Sequence, residues 1–376
     1  METPFQAIIS ERYELLKSKG RIKTMPPHGT RSLSSNDYLG LSRHPRVIES
    51  SIRAVQTFGT GGTGSRYLSG NHPLHGELSE MTLQFKSARK SAIHIFSSGY
   101  HANLAVMSLL AEISGLVFSD SENHASIIDG LRNFKGNKIV YPHNDADFIR
   151  DSLARKPGKH PVIVTESLFS MRGDIAPLTD LLNIVEEHDG LLVIDEAHAT
   201  GTTGMNGRGA LEAQELPYLP NRMIIVGTYS KALGSLGGFV ILDQKMASIL
   251  ASTARTLIYT TALPPGVLAA SLESLRILDE NPALVHDLRR QSHRWQRTIK
   301  NRDSFSPLIP LEGDVKSLQK ISRNLMDKGL HLPVITYPTV PRGEAILRLS
   351  VNLGWGPDID EALEKIFLSK DRGDSE

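Results

Sequence analysis

Three residues with chemically useful side chains stand near the ends of two apolar runs in this 376-residue chain. Asp195 directly follows the run Leu191–Ile194, and His198 comes three positions later. Lys231 lies in the segment GTYSKALGSLGGF, just after the run Met223–Val226. A lysine amine that is buried loses its charge more readily, and it can then act as a Schiff-base nucleophile.

The spacing of these residues predicts that they meet. Lys231 follows Asp195 by 36 positions, which leaves room for one helix and one strand. Ligands of open α/β sheets bind at the carboxyl ends of parallel strands, so all three side chains can reach one sheet edge. There Asp195 would keep a pyridine nitrogen protonated and His198 would hydrogen-bond a ring hydroxyl. Together with a Schiff-base lysine, these roles predict pyridoxal 5'-phosphate (PLP) as the cofactor.

Other strand ends carry further candidates for this site. In SSGYHANLAVMSLL a strand end is followed by a helix start, so the backbone N–H groups of Gly99 and Tyr100 are candidates to bind a phosphate. His124, in SENHAS, follows the next strand and could stack on a flat ring. The segment TESLFSMRGDIAPL places Glu166 and Ser170 past another strand end.

The pattern between these motifs predicts an α/β fold. Short apolar runs alternate with helical patterns from about residue 93 to 242, which is typical of a mostly parallel sheet of seven strands between helices. A mixed α+β segment follows. We predict an N-terminal helix and linker segment at 1–40, a large domain at 41–275 and a smaller C-terminal α+β domain at 276–376.

Composition excludes several classes of function. The 42 basic and 41 acidic side chains leave a net charge of +1, which gives no reason to expect nucleic acid or a membrane as a partner. The chain has no Cys and no H-E-x-x-H, so we expect no metal site, and the absence of Cys fits a cytoplasmic location. GTGGTG (Gly59–Gly64) matches a dinucleotide-binding pattern, but it follows an apparent helix rather than a strand, so we reject that interpretation.

These motifs together resemble the α-oxoamine synthase family of fold-type I PLP-dependent enzymes. The resemblance covers nearly the whole chain and is carried, in order, by SSNDYLGLSRHP, GTGGTGSRYLSGNHPLHGELSE, SSGYHANLAV, SENHASIIDG, TESLFSMRGDIAPL, VIDEAHATG, GTYSKALGS, LIYTTALPP and PTVPRGEAILRLSVN. It implies a PLP-dependent C-acyltransferase with the fold predicted above.

The resemblance also implies roles for individual residues. Lys231, His124 and Asp195 would be catalytic. The implied cofactor contacts are Gly99, Tyr100, His124, Ser170, Asp195, His198, Thr228, Lys231, Thr260 and Thr261. Thr260 and Thr261 match residues that reach a phosphate across a dimer interface, which implies a homodimer. The implied substrate contacts are Asn36 and Arg348 for the amino-acid carboxylate, with Arg21 and Thr339 near the acyl chain.

The implied reaction is the decarboxylative condensation of L-alanine with a pimeloyl thioester, carried by coenzyme A or an acyl-carrier protein. The segment GTGGTGSRYLSGNHPLH favours this reaction over that of the family members that use glycine and make aminoketobutyrate or aminolevulinate. These remain the alternative within the family. A PLP-binding regulator without turnover is the alternative from another class, and the full set of lysine, ring acid and carboxylate arginine argues against it.

Overall fold

The computed structural model describes residues 3–22, 25–155, 160–337 and 339–367. Its α-helices are α1 (Pro4–Ser18), α2 (Pro45–Phe58), α3 (Pro73–Phe85), α4 (Gly99–Ile113), α5 (Ala125–Gly130), α6 (Ala146–Ala154), α7 (Leu178–Glu187), α8 (Ala210–Ala213), α9 (Gln244–Thr253), α10 (Arg255–Ile258), α11 (Pro265–Glu280), α12 (Ala283–Lys300), α13 (Val315–Met326) and α14 (Pro357–Phe367). Its strands are β1 (Arg31–Ser32), β2 (Ala92–Phe96), β3 (Leu116–Asp120), β4 (Asn137–Tyr141), β5 (Val162–Glu166), β6 (Leu191–Asp195), β7 (Met223–Thr228), β8 (Gly238–Leu242), β9 (Leu308–Glu312), β10 (Leu330–His331), β11 (Val334–Thr336) and β12 (Ala345–Ser350).

A seven-stranded sheet forms the centre of the large domain. Its strand order is β2-β8-β7-β6-β5-β3-β4, and β8 alone runs against the other six. All seven strands coincide with the apolar runs, so the predicted mostly parallel sheet is confirmed. Each residue of β3, β5, β6, β7 and β8 is buried, as continuous apolar runs predict for strands covered on both faces.

Successive residues of the central strands enter two different cores. Ile163 and Leu192 belong to one apolar cluster, whereas Val164 and Val193 belong to the other. Because neighbouring side chains of a strand point to opposite faces, the sheet separates two helical layers. α11 packs against α2 and α3, while α4 packs against α5 and α9.

The smaller C-terminal domain has its own sheet, as the sequence predicts. Its antiparallel order is β11-β12-β9, and α13 packs against β12. The short strands β10 and β11 were not predicted. β10 pairs in parallel with β1, so the N-terminal segment is joined to this domain. The expected boundary at residue 275 lies inside α11 and stays a prediction.

The glycine-rich segment Gly59–Gly64 follows α2, as the sequence indicates, and not a strand. A Cβ atom on Gly62 would lie 2.2 Å from the carbonyl oxygen of Ala262. The Ala262 N–H donates to the Gly64 carbonyl at 2.9 Å, and Ser65 forms a β-bridge with Thr261. The segment is therefore the surface against which the chain around Thr261 packs.

Within the described ranges, no helix combines the length and the apolar character needed to cross a membrane.

Candidate active site

The carboxyl ends of three neighbouring parallel strands carry polar side chains. Glu166 ends β5, Asp195 ends β6 and Thr228 ends β7, and Glu166 and Asp195 are direct partners in the register of the sheet. All three residues are buried. Because parallel strands end on the same side, this edge gathers the predicted chemistry in one place.

The side-chain carboxylate of Asp195 accepts two hydrogen bonds. Its Oδ2 accepts from Asn103 Nδ2 at 2.7 Å, and its Oδ1 accepts from the Ala197 N–H at 2.9 Å. Asn103 also donates to Ser126 Oγ at 2.9 Å, and that hydroxyl lies 2.7 Å from His124 Nδ1. A chain of hydrogen bonds thus joins the predicted ring acid to the predicted stacking histidine.

Both histidines of the site favour the neutral imidazole. Burial and the nearby Lys231 charge hold the pKa of His198 well below its ordinary value. The Tyr38 hydroxyl lies 2.7 Å from His198 Nδ1, which leaves Nε2 for another partner. The His124 pKa is also lowered, by loss of hydration and by the Lys231 charge, although the Asp195 charge opposes this.

Lys231 and Glu166 are both shifted towards neutral forms. Loss of hydration lowers the pKa of the Lys231 amine to about 8, although the charges of Asp195 and Glu166 act in the other direction. Burial, reinforced by repulsion from Asp195, raises the pKa of the Glu166 carboxyl to about 8. Glu166 Oε2 accepts from the Ser170 N–H at 3.2 Å, whereas the buried Oε1 has no hydrogen-bond partner in the described part of the chain. An amine with this pKa has a substantial uncharged fraction near neutral pH, which a nucleophile or base requires.

The predicted phosphate site lies where α4 begins beside the end of β7. A Cβ atom on Gly99 would lie 3.3 Å from Thr228 Cβ, and one on Gly238 would lie 2.5 Å from the Ser98 carbonyl oxygen. A side chain at position 238 would therefore clash with the backbone of Ser98, and one at position 99 would crowd Thr228. The free N–H groups at the start of this 15-residue helix attract an anion. The Tyr100 hydroxyl donates its proton to Asp129, and the Tyr100 ring lies 6.3 Å from the His124 ring, centroid to centroid.

Arg348 joins the small domain to this edge. Its Nη2 donates to Asn36 Oδ1 at 2.9 Å and to the Ser34 carbonyl at 3.2 Å, while Nη1 donates to the Ser170 carbonyl at 3.3 Å. The Arg348 Nε is buried and has no hydrogen-bond partner among the described residues. Arg348, Asn36 and Ser170, which come from three distant parts of the sequence, are therefore brought together.

Four predicted residues lie outside this cluster. Thr260 is half-buried and Thr261 is exposed, and both line a small cleft beside Arg66. Arg21 lines a separate, larger cavity, and Thr339 is exposed and does not line that cavity. Their roles stay predictions.

Three side chains of the cluster were not predicted from the sequence, namely those of Asn103, Ser126 and Tyr38. Asn103 lies four residues after Gly99, one helical turn on, so its position on the same helix face was a usable signal. Ser126 and Tyr38 stand inside SENHAS and SSNDYLG, but nothing in those segments indicates which histidine each contacts.

Comparison with known proteins identifies the family. The family model "Aminotransferase class I and II" matches residues 31–366. The chain belongs to this family. A protein of Aquifex aeolicus named "Putative 8-amino-7-oxononanoate synthase" is 39% identical over 354 residues, covering 91% of this chain and 93% of that protein. A protein of the same name from Methanocaldococcus jannaschii is 36% identical and covers 93% and 94%.

Two solved structures of the family show the same fold. Serine palmitoyltransferase from S. paucimobilis, with a bound PLP–myriocin adduct, matches with a TM-score of 0.85 at 28% identity, covering 98% of this chain and 97% of that one. The 8-amino-7-oxononanoate synthase of Francisella tularensis matches with a TM-score of 0.74 at 29% identity, covering 92% and 99%. The predicted fold-type I architecture is confirmed, and this family member is a PLP-dependent acyltransferase of the α-oxoamine synthase group.

The residues of the site fit the cofactor. A buried carboxylate with two fixed donors suits a pyridinium nitrogen, and a lysine amine of lowered pKa suits the aldehyde carbon. The close approach of Gly99 to Thr228 at a helix start suits a phosphate. The described ranges contain no group of three or more His, Cys, Asp or Glu side chains placed to hold a metal ion.

Proposed function

We propose that this protein condenses L-alanine with a pimeloyl thioester to 8-amino-7-oxononanoate, a step of biotin synthesis. In this reaction the alanine α-carbon bonds to the thioester carbonyl carbon, the carrier thiol leaves, and the alanine carboxyl departs as carbon dioxide. The observation that carries the proposal is that relatives 36–39% identical along nearly their whole length bear this enzyme's name. The fold alone does not identify the substrate, because serine palmitoyltransferase superposes on this chain more closely than 8-amino-7-oxononanoate synthase does.

When bound, PLP supplies an electron sink that stabilises negative charge on the amino-acid α-carbon. Asp195 would hold the proton of the ring nitrogen, with Asn103 and the Ala197 N–H fixing its two oxygens. The Lys231 amine, whose pKa is about 8, would remove the α-proton at neutral to mildly alkaline pH. The lowered pKa of His124 favours its neutral form, which would hydrogen-bond the oxygen of the reacting carbonyl.

Arg348 would bind the alanine carboxylate with Asn36. Its guanidinium is held by three oxygens, so its orientation is set before substrate arrives. Its unpartnered buried Nε is a further donor for a carboxylate, and a planar guanidinium suits a two-oxygen contact. This arrangement would place the α-carbon near Lys231.

Thr260 and Thr261 would serve the site of a neighbouring chain. Thr261 is exposed and neither threonine belongs to the Lys231 cluster. In a homodimer these hydroxyls would face the partner's phosphate. The acyl carrier would be coenzyme A or an acyl-carrier protein.

A turnover assay with the PLP-loaded protein tests the function. Alanine, glycine and serine are each paired with pimeloyl, acetyl, succinyl and palmitoyl thioesters, and the pimeloyl group is offered on coenzyme A and on an acyl-carrier protein. We expect alanine with a pimeloyl thioester to give the highest kcat/KM. Faster turnover of glycine with acetyl- or succinyl-coenzyme A, or of serine with palmitoyl-coenzyme A, would assign the chain to another member of the group.

A further inference from the structure

A cavity of about 810 Å³ lies between the N-terminal segment and the small domain. Residues 19–22 and 25–27 form one wall, and residues of α13, β10, β11 and the turn after β11 form the other. The volume is within the range of small-molecule sites, which is roughly 300–1,000 Å³. None of the residues assigned above to PLP or to the alanine carboxylate lines this cavity.

The charge of the cavity has one sign. Lys19, Arg21 and Arg342 line it, His331 adds a fourth basic group, and no Asp or Glu is present among its described lining residues. Both guanidiniums lie over the ring of Tyr337, with Arg21 Cζ at 5.3 Å and Arg342 Cζ at 5.0 Å from the ring centroid. Both guanidiniums therefore share one aromatic contact, and neither has a carboxylate partner in the described part of the chain. An anion in this cavity would be attracted by both.

The remaining wall of the cavity is largely apolar. Ile22, Val315, Met326 and Val334 line it together with prolines. A ligand suited to this surface therefore has a hydrocarbon portion and an anionic group. An acyl thioester with a charged end has both.

We propose that Arg342, paired with Arg21 across Tyr337, forms an anion-binding site that recognises the acyl substrate by a charged group distant from the reacting thioester. This inference rests on the proposed function and adds Arg342 and Tyr337 to the substrate site. Two sources could supply the anion, namely the distal carboxylate of a diacid acyl chain or a phosphate of the carrier. The two sources share the same chemistry at the guanidiniums, and substrates that lack one or the other distinguish them.

The test compares Arg342→Gln and Arg21→Gln with wild-type holoenzyme and with Arg323→Gln. Arg323 is exposed on α13 and does not line the cavity, so this variant removes the same charge nearby. Four alanine-dependent kcat/KM values are measured: pimeloyl- and heptanoyl-coenzyme A, which differ only in the distal carboxylate, and the N-acetylcysteamine thioesters of both acids, which lack phosphates.

If the distal carboxylate is bound, both cavity variants should lose about 10-fold or more on the two pimeloyl substrates and little on the heptanoyl ones. If a carrier phosphate is bound, both coenzyme A substrates should fall together and both short thioesters should be unaffected. Either pattern supports the anion site and names its source. Losses no larger than those of Arg323→Gln on all four substrates would overturn the proposal.

Calorimetric binding of free pimelate and of free coenzyme A to the same four holoenzymes separates this inference from the proposed function. If the wild type fails to condense alanine with any pimeloyl thioester, the proposed function is wrong. The anion site is then still supported if either ligand binds wild type and Arg323→Gln alike but binds the cavity variants about 10-fold more weakly. It is overturned if neither ligand binds, or if binding is the same in all four proteins.

Discussion

Replacing Asn103 by alanine tests whether the hydrogen bonds around Asp195 matter for catalysis. Asn103 Nδ2 lies 2.7 Å from Asp195 Oδ2, and a hydrogen bond to a charged group contributes about 1.5–3 kcal/mol. The Ala197 N–H would still donate to the other oxygen, so the carboxylate would remain in the site. It would be less well oriented, and its interaction with the ring nitrogen would be weaker. If that hydrogen bond stabilises the carbanion-like transition state by this amount, its loss lowers the rate of α-proton removal between about 10- and 150-fold.

The assay is exchange of the alanine α-proton in D₂O, followed by NMR, because it isolates deprotonation from the acyl-transfer steps. Asn133→Ala, on an exposed residue, is the control for loss of an asparagine. Ser126→Ala should have a smaller effect, since it removes the link to His124 and leaves both donors to Asp195 in place. The reasoning is refuted if Asn103→Ala keeps its melting temperature and cofactor affinity and still exchanges the proton within about 2-fold of the wild-type rate.

Three further substitutions have expected outcomes. Lys231→Ala should abolish turnover in a folded protein. Borohydride reduction of the wild-type holoenzyme should attach the cofactor covalently to Lys231, and peptide mapping that finds it on another lysine would contradict the assignment. Arg348→Lys should raise the KM for alanine about 10- to 100-fold, with a smaller effect on that for the thioester, because an ammonium cannot reproduce the guanidinium fork; an unchanged alanine KM would remove Arg348 from the carboxylate site. Glu166→Gln tests the raised pKa: between pH 4.5 and about 8 the native carboxyl keeps a proton that the unfolded chain has lost, so this group makes wild-type stability fall as pH rises. The stability of the cofactor-free variant relative to wild type should therefore increase from pH 5 to 8, by on the order of a few kcal/mol in urea denaturation, and a pH-independent difference would contradict the shift.

The sheet and the polar residues at its strand ends could be predicted because their signals are local. A continuous apolar run such as Leu191–Ile194 is typical of a strand buried on both faces, and the residue after it must then lie at the strand end. Asp195 and Glu166 were placed in this way. The strands β10 and β11 have two and three residues, which is too short for any periodicity to appear.

The hydrogen-bond partners of the proposed catalytic groups could not be predicted because they come from distant segments. Tyr38 and His198 are 160 positions apart, and Asn103 and Asp195 are 92 apart. The buried ion pair of Lys86 with Glu196, directly after Asp195, is another example, since neither residue type is expected to be buried without its partner. The pKa shifts of Lys231 and Glu166 likewise depend on burial, which only the assembled site supplies.

The pairing of the N-terminal segment with the small domain has a consequence for how the protein is made. Asn36 and Arg348 are separated by 312 positions, so on a ribosome adding about 5–20 residues per second the first waits roughly 15–60 seconds for the second. The strands from Ala92 to Leu242 are all available earlier and can assemble during that time. Until β10 emerges, β1 has no partner strand. A nascent chain that stops before Arg348 would therefore possess the strand ends predicted to hold the cofactor and lack the group proposed to orient the amino acid. We expect the ability to bind PLP to appear during synthesis before the ability to use alanine.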